Sequence, residues 1–163
     1  MRASVALGSN LGDRLANLKA ARKRIGELPG VEAPNLASSV YETEPVNCEA
    51  GAGKFLNAVI EFQYDGEASE LLRELREIEA DLGRSSAHAR NVSRTIDLDL
   101  LYFGDVTLTD PALQLPHPRM TERRFVLEPL AELAPDLRHP VTRQTIREML
   151  GKLAARPIVR RVG

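Results

Sequence analysis

The chain has 163 residues and a formal net charge of −1, which fits one domain with one substantial core. A pI near 6.3 offers no global field for nucleic acid or an anionic membrane, so charge matters only locally. The single cysteine, Cys48, excludes an internal disulfide and a multi-cysteine zinc site, and reads as a spectator thiol in a reducing compartment.

The first apolar run, Ser4 to Leu7, is too short for a signal peptide, and no later stretch approaches membrane-spanning length. The expectation is a soluble, cytoplasmic protein. Ser4 to Leu7 predicts a short buried strand ended by the turn residues Gly8-Ser9-Asn10. Leu11, Leu15, Leu18, Ala21, Ile25 and Leu28 then recur at helical spacing, with Asn10 or Asp13 as N-cap and Pro29-Gly30 as the stop. A strand, a glycine turn and a helix in that order suggest a phosphate loop. The Gly-x-x-x-x-Gly-Lys-Ser/Thr pattern is nevertheless nowhere in the chain, and Gly53-Lys54 leads into Phe55 and a strand.

Leu36 to Val46 is rich in strand formers, clearest over Val40 to Thr43, and breaks at Pro45. A small-residue loop, Asn47 to Lys54, precedes a second clear strand from Phe55 to Phe62, which puts Phe55, Asn57, Val59 and Glu61 on one face. After the Asp65-Gly66 turn, Ala68, Leu71, Leu72, Leu75, Ile78 and Leu82 mark an amphipathic helix over Glu67 to Leu82, ended by Gly83. Periodicity puts Glu79 at the margin of its buried stripe, as a charge flanking the core. The polar, cationic stretch Arg84 to Ser93 has no apolar period and feeds into the next strand, as a lid would, although an ordinary solvated loop reads the same way.

Arg94 to Phe103 alternates, sending Ile96, Leu98 and Leu100 to one face and Thr95, Asp97 and Asp99 to the other. Carboxylates two apart on a strand sit about 6.6 Å apart and repel by about 2.5 kcal/mol at an effective dielectric near 20. A cation between them reverses the sign. Hard oxygen ligands without nearby Cys or His suit Mg²⁺ carrying phosphate oxygens. The plain alternative is an edge strand whose Asp residues discourage aggregation. The cations around it, Arg84, Arg90, Arg94, His117, Arg119, Arg123 and Arg124, weigh toward a metal-bound polyphosphate.

Beyond the Gly104-Asp105 turn, Val106 to Leu108 reads as a brief strand and Leu115-Pro116-His117-Pro118-Arg119 as a fixed extended segment. Thr121 to Leu133 predicts a helix with Phe125, Leu127, Leu130 and Leu133 inward. A last helix capped by Thr142 carries Ile146, Met149, Leu150 and Leu153, and the tail from Arg156 reads as basic and mobile. The order strand, helix, strand, strand, helix, strand is the ferredoxin-like βαββαβ arrangement, an α+β fold. Its antiparallel sheet carries helices on one face, with extra C-terminal elements on the open side or its rim. We read residues 1–163 as one domain, with a core to about residue 138 and a helix and tail after it.

Only 4% of the residues are aromatic, yet Phe55 and Phe125 both lie next to loops and polar groups. Two rings can sandwich a flat heterocycle while the Asn57 amide reads its edge, and two core phenylalanines are the plain alternative. His117, between prolines, suits a phosphate donor better than a general base.

Several segments together resemble the 6-hydroxymethyl-7,8-dihydropterin pyrophosphokinases of folate biosynthesis. They are Ala6-Leu7-Gly8-Ser9-Asn10-Leu11-Gly12, Ser39 to Val46, Phe55-Leu56-Asn57-Ala58-Val59, Arg94-Thr95-Ile96-Asp97-Leu98-Asp99, and Leu115 to Met120 with Glu122-Arg123. The resemblance implies an ATP-dependent diphosphotransferase that moves the β,γ-pyrophosphoryl group to the hydroxymethyl oxygen and releases AMP. By analogy Asp97 and Asp99 bind two Mg²⁺ ions, and Arg84 and Arg94 join them as catalytic residues. ATP falls to Glu79, Arg84, Arg94, Leu100, His117 and Arg123. The pterin falls to Gly8, Thr43, Pro45, Val46, Phe55, Asn57, Asp97 and Phe125. The implied partners are small molecules, with neither nucleic acid nor membrane, and the implied state is a monomer or weak homodimer. Val92-Ser93 replaces a Gly-Pro pair common before the Arg-Thr-Ile-Asp motif, and Ser86 replaces an arginine that some members carry. A different Mg²⁺-dependent nucleotide kinase or hydrolase, or a non-catalytic module on the same fold, would share these pieces.

Overall fold

The computed structural model describes residues 1–44, 53–83, 95–154 and 159–162. The expectations placed on Pro45, Val46, Cys48, Arg84, Ser86, Arg90, Val92, Ser93 and Arg94 lie outside these residues.

β1 (Arg2–Ser9) runs through the middle of the sheet. Gly12, at φ 71, turns the chain, and α1 (Arg14–Gly26) starts beyond it, with the Asp13 carboxylate accepting the Ala16 N–H at 3.1 Å. Asp13, one of the two expected caps, is thus the N-cap, and Leu11, counted in the apolar period, precedes the helix. Leu11 and Leu15 are exposed, and Leu18, Ala21 and Ile25 carry the buried stripe.

β2 (Val31–Ala37) and β3 (Val40–Thr43) both pair with β4 (Phe55–Tyr64). The first half of β2 goes beyond the strand read from Leu36 onward, and its pairing is interrupted between Glu32 and Leu36, around Pro34. α2 (Ala68–Leu82) buries Ala68, Leu71, Leu75 and Ile78, and β5 (Asp97–Phe103) returns antiparallel to β1. With β2 and β3 taken as one broken strand, the order β5-β1-β4-β3 is the ferredoxin-like antiparallel sheet.

The apolar sides of α1 and α2 meet Val5, Leu7, Ile60, Leu98 and Leu100 in a first core. On the opposite face, a hairpin of β6 (Leu108–Asp110) and β7 (Leu113–Leu115) precedes a single 3₁₀ turn, Met120–Glu122, and α3 (Arg124–Leu133). β6 starts at the end of the expected Val106–Leu108 strand, because Asp110 accepts the Ala112 N–H at 2.8 Å and fixes the turn there. The helix expected over Thr121–Leu133 is broken at Arg123, whose backbone is extended (φ −109, ψ 105). α4 (Ile146–Gly151) is capped by Thr145, whose Oγ1 accepts the Glu148 N–H at 3.1 Å. Thr142 cannot be the cap: its own N–H donates to His139 Nδ1 at 3.1 Å, and Arg143 after it has φ 66. α3 and α4 enclose a second core with Val59, Leu101, Tyr102 and Met120.

The tail expected to be mobile ends instead in β8 (Val159–Val162), which pairs along all of β3. Arg161 also approaches Glu132 of α3 at 3.9 Å. At the far end of the second face, Glu61 is buried with Tyr102 donating to it and Arg2 at 2.6 Å. Among the described residues no helix is long and apolar enough to cross a membrane.

Candidate active site

Strand register assembles the site. Gly8 on β1 lies between Asp97 on β5 and Asn57 on β4, and Asn57 in turn faces Tyr41 on β3. Asp99, Ala6 and Val59 form the next row on the same side, and Thr43 pairs with Phe55. Side chains two apart share a face, so both carboxylates, the amide and Phe55 look toward the layer that carries α3. Ile96, Leu98 and Leu100 are buried on the other side, as the alternation predicted. Leu100, assigned to ATP by resemblance, buries its side chain in the first core.

Two donor groups from the segment before α3 approach Asp99: the Arg123 guanidinium with Nη1 at 3.8 Å and the His117 ring with Nε2 at 3.9 Å. Burial first, and then repulsion from Asp97, lift the Asp99 carboxyl to about 6, against the pull of Arg123 and Arg76. A bound cation would relieve both costs. His117 is anchored by its N–H on the Leu101 carbonyl at 2.7 Å, and its Nδ1 accepts the Arg119 N–H at 3.2 Å. This assigns the ring proton to Nε2, on the side of Asp99. Burial, reinforced by Arg123, lowers His117 to about 4, so the ring is a neutral hydrogen-bond donor at pH 7.

Glu79 flanks the buried stripe of α2, where periodicity put it, and is turned onto the edge of β5. Its Oε2 accepts the Leu98 N–H at 2.7 Å, between the two aspartates, while Arg76 Nη1 donates to Oε1 and to the Leu98 carbonyl at 2.9 Å. Burial pushes the Glu79 carboxyl up, and Arg76 is the strongest influence holding it down. Arg76 escaped the sequence reading. Its only local signal is an ion pair with Glu79 one helical turn on, which any surface helix shows.

On the other side of Gly8, Asn57 Nδ2 donates to Thr43 Oγ1 at 2.9 Å, and both residues are buried. That bond orients the amide. A methyl group at Gly8 would lie 3.1 Å from Asn57 Oδ1 and 3.7 Å from the Phe55 ring, so glycine keeps the gap between Asp97 and the amide open. Phe55 and Phe125 are both half-buried. Phe125 packs on the second core, and the Arg123 guanidinium lies 5.5 Å from its ring centroid. The structure thus brings together Gly8, Thr43, Asn57 and Phe55 with Asp97, Asp99 and Glu79, and attaches His117 and Arg123 to Asp99. It describes neither Pro45, Val46, Arg84 nor Arg94.

Residues 4–135 match the 7,8-dihydro-6-hydroxymethylpterin-pyrophosphokinase family. The chain belongs to this family. It is 41% identical over 140 residues to the 2-amino-4-hydroxy-6-hydroxymethyldihydropteridine pyrophosphokinase of Bacillus subtilis, covering 86% of this chain and 82% of that one. The enzyme of the same name from Methylorubrum extorquens is 39% identical over 152 residues, with 93% of both chains covered. Folic acid synthesis protein fol1 of Schizosaccharomyces pombe is 35% identical over 156 residues, and there the chain spans only 21% of the relative's length. Among solved structures, a Plasmodium falciparum HPPK-DHPS variant superposes with a TM-score of 0.73 at 16% identity, over 93% of this chain and 45% of that one. At that identity the likeness speaks for the fold. The family's reaction, pyrophosphoryl transfer from ATP to hydroxymethyldihydropterin, serves folate synthesis.

Proposed function

We propose that this chain carries out that transfer at the Asp97–Gly8–Asn57 row, with ATP on the carboxylate side and the dihydropterin on the amide side. The hydroxymethyl oxygen attacks the β-phosphorus, the bond from that phosphorus to the oxygen bridging to the α-phosphate breaks, and AMP leaves with the bridging oxygen. The acceptor's hydroxyl proton passes to water as the new ester forms.

The observation that carries this reading is the register of β5, β1 and β4. It sets Asp97 across Gly8 from a buried, oriented amide, with Asp99 on the same face in the next row, opposite Ala6. Among the described residues no cluster of three or more His, Cys, Asp or Glu forms a cage of its own. Two hard carboxylates leave the remaining positions to phosphate oxygens and water, which fits Mg²⁺. Asp97 and Asp99 would hold it, and when bound it would neutralise charge on the phosphates and orient them against the acceptor.

The protein's own groups supply the rest. Arg123 and the Nε2–H of His117 reach past Asp99 to bind polyphosphate oxygens, and by resemblance Arg84 and Arg94 add further cations, with Glu79 and Leu100 completing the ATP side. Asn57 and Thr43 read the edge of the heterocycle, as Pro45 and Val46 do by resemblance. Phe55 and Phe125 stack on its faces. Positioning of this kind is most of what phosphoryl-type transfer asks of a protein. We further infer a cytoplasmic enzyme of two small molecules, monomeric or weakly dimeric.

The direct test incubates the protein with ATP, Mg²⁺ and 6-hydroxymethyl-7,8-dihydropterin and separates the nucleotides. AMP formed in step with a pterin diphosphate is the expected result. ADP or orthophosphate in its place would overturn the assignment.

A further inference from the structure

Among the described residues β5 ends the sheet, with no strand paired along one of its edges. At Leu98 that edge is closed by side chains of α2. The Leu98 N–H donates to Glu79 Oε2 at 2.7 Å and the Leu98 carbonyl accepts from Arg76 Nη1 at 2.9 Å. The two side chains are also bonded to each other, so three polar contacts form a closed ring across one residue. That residue lies between Asp97 and Asp99. An edge strand gains half its usual ladder, and main-chain groups without a partner leave it free to shift.

We propose that Arg76 is a positioning residue for the Asp97–Asp99 pair: by closing the edge of β5 at Leu98 and steadying Glu79, it fixes where the two carboxylates stand. The inference rests on the reaction proposed above for its consequence, but not for its geometry. It makes a chemical distinction. One nitrogen, Nη1, makes both of the contacts Arg76 gives to this ring, so a lysine ammonium can reproduce them. A guanidinium gripping a phosphate through its fork would not be replaced in that way. Half of the Arg76 side chain, 48%, is exposed, so its removal leaves the cores intact.

The test compares Arg76→Met and Arg76→Lys. Hydrogen exchange at the Leu98 amide, followed in protein free of nucleotide and metal, is expected to speed up about tenfold or more in Arg76→Met and to return close to the original rate in Arg76→Lys. In turnover, Arg76→Met is expected to raise KM for MgATP about tenfold while KM for the pterin stays within about twofold, and Arg76→Lys to recover most of the loss. Unchanged exchange at Leu98 in Arg76→Met would overturn the proposal. So would a lysine variant that restores slow exchange but not the KM for MgATP, since the guanidinium would then be meeting the nucleotide itself. A parent protein that makes no AMP would refute the reaction while the exchange data still decided the role of Arg76.

Discussion

Asp99 stands 3.8 Å from Arg123 and 3.9 Å from His117, yet burial and Asp97 hold its carboxyl up at about 6. In an unfolded chain an aspartate titrates near 3.9, so between about pH 4 and 6 the folded protein holds the extra proton. The stability that this proton contributes is complete below the unfolded value and is lost as pH rises through 6. Above pH 6 the ionised Asp99 therefore weighs against folding. Replacing it with Asn removes the charge and keeps the shape. In metal-free protein, Asp99→Asn is expected to gain about 1–2 kcal/mol of stability at pH 7, discounted for residual solvent contact, with the gain shrinking toward zero by about pH 4. Urea midpoints measured across that range check it, and a gain that does not depend on pH would refute the account. The same variant is expected to lose at least about a hundredfold in turnover. A site that costs stability and is indispensable to the reaction is what a functional carboxylate predicts.

β8 shows what a single strand read in isolation conceals. Val159-Arg160-Arg161-Val162 has no clean alternation, and its arginines suit a solvated tail; it becomes a strand because β3 presents a free edge. Removing residues from 155 onward is expected to cost about 1–3 kcal/mol, from the lost ladder and the lost Arg161–Glu132 contact. Helical circular dichroism should be retained, and an unchanged denaturation midpoint would show that β8 carries no weight. β2 was hidden for a related reason: Glu32, Pro34 and Asn35 are poor strand formers, and pairing holds only at its two ends. α1, α2 and β5 were legible because a repeat of 3.6 or 2 is a property of the segment itself. The site divides along the same line. That Asp97 and Asp99 share one strand face, and Asn57 and Phe55 another, was legible from the period of their own strands. Arg76 acts on a main-chain carbonyl, which has no sequence signature, and the site role of Glu79 came from resemblance, not from its periodicity.

The whole molecule is a sheet with different work on its two sides. α1 and α2 seal one face with the first core, while α3 covers the other and continues directly from Arg123 through Phe125 into the second core. Damage to the two cores should therefore be equal in stability and unequal in function. Ile25 in α1 and Leu127 in α3 are both fully buried, and truncation of either to alanine is expected to cost about 2–5 kcal/mol. Leu127 lies two residues after Phe125 and four after Arg123, so a cavity there lets the first turn of α3 shift. Shifts of about 1 Å in positioning groups cost up to about a hundredfold. Leu127→Ala is accordingly expected to raise KM for both ATP and the pterin at a temperature where the protein is fully folded. Ile25→Ala should lower the melting temperature by a similar amount and leave both constants within about twofold. Equal effects of the two variants on KM would mean that the sheet transmits the strain and that α3 holds no privileged link to the site.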